Sequence, residues 1–190
     1  MKPIIYKFGV IPIGKEKDEK FFYPQIWYRE HTSGPDRLVI APREGHIDLM
    51  LKLASCCQGP YGILYVLVVP RSENQSAGRY QSPNPVDYLE LEKFFMKYKK
   101  VLETDGRHHV WIASASKEGT LVYDQHNVIF AYGTLDKFEV ILKEEGFSLG
   151  QVKFPTPHAH HYHSENDIEI NELLNHWGWI KSPLSGNDLY

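Results

Sequence analysis

From Tyr61 to Val69 the chain is almost unbroken apolar, rich in β-branched residues, and bordered by Gly59-Pro60 and Pro70. A run this short cannot cross a bilayer as a helix, which takes about 20 residues. Its composition predicts a strand covered on both faces. Residues 61–69 are therefore expected to be the central strand of a sheet on which the other elements pack.

Upstream, Ile4, Tyr6, Phe8 and Val10 alternate with Lys7 and Gly9, the period of a strand. Residues 3–13 and 21–31 read as a hairpin joined by the charged connector 14–20. Pro24 lies in the second arm and cannot donate to a ladder, which places that arm at an edge or a bulge. Ser33-Gly34-Pro35-Asp36 is a turn into a short strand, Arg37 to Ala41. The period then changes. Ile47, Met50, Leu51 and Ala54 share one face of a helix within residues 42–57. Arg71 to Pro83 is polar and aperiodic, and reads as a mobile loop, a lid or a binding loop.

Asn84-Pro85-Val86-Asp87 predicts a helix start with Asn84 as cap and Pro85 in the first position. Tyr88, Leu91, Phe95, Tyr98 and Leu102 then form an apolar stripe ending at Asp105-Gly106. Three alternating segments follow from His108, Thr120 and Val128, with turns short enough to make them antiparallel neighbours. Thr134 is expected to cap a helix through Glu145, and Leu149 to Phe154 to form a last strand. Ser164-Glu165-Asn166-Asp167 resembles a capping box before a final helix carrying Ile170, Leu173, Leu174 and Trp177. Residues 181–190 read as a tail. The pattern is α+β: one globular domain over 1–190, a mainly antiparallel or mixed sheet, and about four helices packed on it.

Composition narrows the function classes. A length of 190 residues suits one domain that buries roughly 70% of its unfolded surface. The formal charge of −3 offers no global field for phosphate backbones or anionic lipid, so neither nucleic acid nor membrane is an expected partner. Lys93, Lys97, Lys99 and Lys100 on the long helix are the only candidate basic patch, and read as a solvated face. Neither a secretory signal nor a spanning segment is expected. Cys56 and Cys57 are neighbours, about 3.8 Å apart at Cα against the 4.4–6.8 Å of an ordinary disulfide. They are expected to be reduced, and the protein cytoplasmic.

Chemistry concentrates in Pro157-His158-Ala159-His160-His161-Tyr162-His163-Ser164-Glu165, which holds four of the ten histidines. In an extended segment His158 and His160 share one face, and His161 and His163 the other. Two imidazoles at i, i+2 can meet one metal ion, and Glu165 continues the second face. His161, His163 and Glu165 are thus a candidate set for zinc or iron with an open position, the basis of a metal-dependent enzyme, a hydrolase by preference. The competing reading is exposed or hydrogen-bonded rings without a ligand. Asp124-Gln125-His126 adds a carboxylate and an imidazole in a turn, and His108-His109 another pair, but no spacing rule links them to the cluster. The sequence holds no HExxH or Walker motif.

A non-enzymatic reading rests on that absence and on aromatic content: twelve tyrosines, nine phenylalanines and four tryptophans. Trp177 and Trp179 are candidate anchors for a protein partner, in the manner of small immunity proteins or inhibitors. Of the two, protein binding is the first expectation and metal-dependent catalysis the alternative.

Overall fold

A computed structural model describes residues 5–189. The start of the expected strand 3–13, including Ile4, and Tyr190 at the end of the tail lie outside the described residues. The chain is a single α+β domain. Its main sheet runs, rim to rim, β10 (Ser148–Leu149), β3 (Ile26–Glu30), β4 (Arg37–Ala41), β9 (Ile129–Gly133), β8 (Gly119–Tyr123), β7 (His108–Ser114), β5 (Tyr61–Leu67), β6 (Gly78–Gln81) and β12 (Ile180–Ser182). Neighbours are antiparallel except β10 and β3. A small second sheet has the order β11 (His158–His160), β1 (Phe8–Val10), β2 (Glu19–Lys20).

Tyr61–Leu67 of the apolar run form β5, an interior strand flanked by β7 and β6, and the expected strand stops short of Val68 and Val69, whose N–H groups both turn to the Arg107 carbonyl. Tyr61, Ile63, Tyr65 and Leu67 face the helices and belong to the main core. On the other face Val66 is buried, while Gly62 and Leu64 are only partly covered. The alternation continues across the sheet. Leu38 and Ile40 of β4 enter the main core, whereas Val39 and Ala41 enter a second core with Phe8, Tyr23, Val128 and Val152. One pleated strand thus feeds two apolar layers because successive side chains point to opposite faces.

Four helices lie among the described residues: α1 (His46–Ser55), α2 (Tyr88–Thr104), α3 (Leu135–Glu144) and α4 (Asp167–Leu174). Each contributes its apolar stripe to the main core. The α2 stripe buries Leu91, Phe94, Phe95, Tyr98, Val101 and Leu102. Its N-cap is Asp87, whose carboxylate accepts the Glu90 N–H at 2.8 Å. Asn84 is displaced from that role because Val86 exchanges both backbone hydrogen bonds with Tyr61 at 2.8 Å, holding 84–86 extended.

Other expectations are corrected by pairing. The hairpin of residues 3–13 with 21–31 is reduced to its start: β1 pairs with β2 and β11, the Phe21 N–H reaches the Phe8 carbonyl at 3.4 Å, and β3 joins β4 in the main sheet instead. Residues 78–81, within the segment read as a loop, form β6, and 180–182, at the start of the expected tail, form β12 against it. Of residues 149–154 only Leu149 is in a strand. Thr134 stands at the N-cap position of α3, but its hydroxyl donates to the Glu118 carbonyl and accepts no N–H of the helix.

The C-terminal segment is fastened by a buried ion cluster at the α2–β7 corner. Arg107, fully buried, donates to both Asp105 carboxylate oxygens at 2.7 and 2.9 Å. The same guanidinium donates to Asp167 at 2.7 Å and to the His163 carbonyl at 2.8 Å. Asp105 also accepts the His163 N–H at 3.1 Å. Burial alone would raise the Asp105 pKa, but Arg107, His108 and the His163 N–H together outweigh it and hold the carboxyl below the usual range.

Candidate metal centre

Strand β11 and the turn between β8 and β9 approach each other at one end of the main sheet. The turn is built by Asp124, whose Oδ1 accepts the N–H groups of His126 and Val128, each at 2.9 Å. Asn127 completes it at φ 62°, in the left-handed region that asparagine tolerates. Burial pushes the Asp124 pKa up, but its His126 contacts and backbone bonds more than offset this. The group is therefore an acceptor, and His126 Nδ1–H donates to its Oδ2 at 2.9 Å. The lone pair of His126 is left on Nε2, facing away from the turn.

His158 and His160 share a face of β11, as the alternation predicts, and His126 joins them. The three can each offer one nitrogen, all within 4.8 Å of one another. Ring centroids lie 4.7 Å (His126–His160), 5.3 Å (His158–His160) and 5.4 Å (His126–His158) apart. Donors spaced at that limit put a shared ion about 2.8 Å from each, against about 2.0–2.1 Å for zinc–imidazole bonds, so inward movement of under ~1 Å per ring completes the site.

The nitrogens of His158 and His160 differ in what they meet. His158 Nδ1–H donates to the Pro155 carbonyl at 2.9 Å, which leaves its Nε2 free. His160 Nδ1 is buried and has no hydrogen-bond partner among the described residues. Burial, then the neighbouring His126 and His158, push the His160 pKa down to about 4, so the ring is neutral at pH 7. Neutral rings with one nitrogen assigned to a carboxylate or carbonyl are the form in which histidine binds metal. Beneath them lies Phe8, fully buried, its ring 5.3–5.6 Å from all three imidazoles. Phe154 stands at 5.0 Å from His126 on one side. His158 is exposed, so the apolar floor is closed and the outer side is open to solvent.

The second face of the cluster is used differently. His161 and His163 do share a face, with rings stacked at 5.9 Å. His161 Nε2, however, meets Asp18 at 2.5 Å, and His163 Nε2–H donates to the Tyr6 carbonyl at 2.8 Å. Glu165 lies in a single 3-10 turn, Ser164–Asn166, and is exposed. The structure does not bring these three residues together as a ligand set. Strand β11 ends at His160, and the extended alternation ends with it. His108 and His109 are both buried in β7, turned to the carbonyls of Leu102 and Asp188.

Trp177 and Trp179 are half-buried. They form an aromatic group with Phe94, onto which Trp177 stacks at 4.7 Å, and Trp179 Nε1–H donates to the Leu173 carbonyl at 3.0 Å. A groove of about 410 Å³ beside them is lined by Leu89, Lys93, Phe94 and His176 among others. The free thiols of Cys56 and Cys57 sit at the end of α1, and burial pushes both upward, Cys56 to about 11, the opposite of an activated nucleophile. No helix among the described residues is long and apolar enough to cross a membrane. Comparison with protein-family models, curated proteins and solved structures finds no match to this chain.

Proposed function

We propose that this protein binds one divalent transition-metal ion, zinc by preference and iron second, through His126, His158 and His160, and that it is a metal-dependent enzyme of the hydrolase kind. The observation that carries the reading is the assignment of the imidazole nitrogens. Asp124 and the Pro155 carbonyl hold two rings in the ligating tautomer, and the third keeps a buried nitrogen unpartnered. Three imidazoles suit zinc and leave a position for a further ligand. Bound there, the metal would supply Lewis acidity and an activated water for hydrolysis.

The test is metal analysis of untagged protein purified without chelator. About one equivalent is expected, and His126→Ala should abolish it. Less than about a tenth of an equivalent, with no uptake on titration with zinc or ferrous iron, refutes the reading. An ester or phosphoester reporter then tests catalysis: turnover should vanish both with metal removal and in His126→Ala.

The aromatic group supports a second reading, docking of a protein partner as in inhibitor-like domains. Leu89 is 56% exposed at the groove beside Phe94, an apolar side chain left to solvent. Partner retention lost in Trp177→Ala, with the fold intact, is the expected result; unchanged retention removes the reading. The two free cysteines support a reducing, cytoplasmic setting for either role.

A further inference from the structure

Resting on that metal-binding reading, we infer that Lys7 is the positioning residue of the centre, the internal pin that sets the distance between its two halves. The ligands come from separate sheets: His126 from the β8–β9 turn of the main sheet, His158 and His160 from β11 of the small one. What fixes one sheet against the other fixes the ligand spacing.

Lys7 immediately precedes β1, the middle strand of the small sheet, and is fully buried. No carboxylate pairs with its Nζ among the described residues. Instead Nζ donates to the Asp124 carbonyl at 2.9 Å and to the Leu102 carbonyl at 3.1 Å, and lies 3.6 Å from the centroid of the Tyr123 ring. Leu102 is in the last turn of α2, where helix carbonyls favour a cation. Asp124 is the residue whose side chain orients His126. The pin therefore reaches the backbone of the His126 turn itself.

From its other end Lys7 governs β11. Its carbonyl accepts the His161 N–H at 3.0 Å. Phe8, the next residue, pairs across the strands with His160 and forms the floor under all three rings. Two adjacent residues thus touch both halves of the site. A buried ammonium is costly unless its donors are satisfied, and packing alone would be served by an apolar side chain here. The lysine supplies a polar contact with the ligand-bearing turn that an apolar side chain would not.

The experiment compares wild type, Lys7→Met and Leu142→Ala. Leu142 is buried on α3, which follows β9 at the end away from the turn, and serves as a matched loss of stability. Zinc affinity is measured by competition, and cobalt(II) spectra report the coordination geometry. Lys7→Met should bind zinc at least about tenfold more weakly than Leu142→Ala, the size of effect seen for outer-shell metal partners, with weakened or shifted cobalt bands. Equal affinities in the two variants overturn the inference. Should Lys7→Met fail to fold, hydrogen exchange in wild type decides. Zinc should slow exchange over residues 5–11 together with 158–163, and protection confined to 158–163 overturns it. If wild type itself takes up no metal, the metal-binding reading has failed and this inference falls with it.

Discussion

Replacing Asp124 by Asn changes one carboxylate oxygen to an amide nitrogen and leaves the shape alone. The orientation of the new side chain is forced. Two backbone N–H groups, from His126 and Val128, point at the Oδ1 position at 2.9 Å, so the remaining oxygen must stay there. The amide nitrogen is then held against His126 Nδ1, where the carboxylate oxygen was. An N–H facing Nδ1 makes that nitrogen an acceptor and moves the ring proton to Nε2, the atom proposed to bind metal. The two backbone bonds survive as neutral ones, each weaker by roughly 1 kcal/mol than its charge-assisted parent, so stability should fall by about 2 kcal/mol. Metal affinity should fall about 10–100-fold, or about 1.4–2.7 kcal/mol. Asp124→Ala, which strips both N–H groups of their acceptor, should cost more stability, about 1–3 kcal/mol for each. Zinc competition gives the affinities, and long-range proton–nitrogen spectra of the imidazoles give the tautomer. Wild-type zinc affinity in Asp124→Asn, with the His126 proton still on Nδ1, would falsify the assignment.

Further outcomes follow from the same contacts. Gly106→Ala places a Cβ 2.7 Å from the Lys7 carbonyl oxygen and 3.2 Å from His160 Cβ. Backbone must move, so a loss of about 1–3 kcal/mol in chemical denaturation is expected, together with weaker zinc binding. Arg107→Met leaves Asp105 buried and unpaired and should cost about 3–5 kcal/mol; a change under 1 kcal/mol would show that the cluster does not hold the C-terminal segment. Acid should destabilise the fold through His46 and His108, whose pKa values burial pushes down to about 3. Both rings refuse protons that the unfolded chain accepts from about pH 6.5 downward. Their contribution is complete above that pH and is lost as pH falls toward 3, by roughly 2–3 kcal/mol per pH unit for the pair. His46→Phe should flatten the acid limb of the stability profile.

Period and punctuation were enough to read α1, the α2 stripe, β4, β7, β8, β9 and the character of β5, because each buries a regular set of apolar side chains. Partners were less legible. Alternation marks residues around β1 and β3 as strands, but not which ladder each joins. The polar strands β6 and β12 owe their structure to neighbours: Tyr80 is buried, yet Gly78, Arg79 and Gln81 carry no apolar signal. The shared face of His158 and His160 was visible in the spacing. Their third companion was not, since only the fold brings residue 126 beside residue 158. Asp124-Gln125-His126 carried the one usable hint, a carboxylate two positions before an imidazole in a turn. The misleading feature was Glu165, in register on paper but beyond the point where β11 stops.

The rims of the main sheet are unusually small for its width. One is β10, two residues long and exposed, and the other is β12, three exposed residues including Lys181. A foreign strand arriving at either border finds few unpaired amides to register on, and at one border a positive charge as well. Borders this short give a broad antiparallel sheet little rim on which to template its own aggregation, and lengthening either border strand is expected to raise the tendency to form fibres.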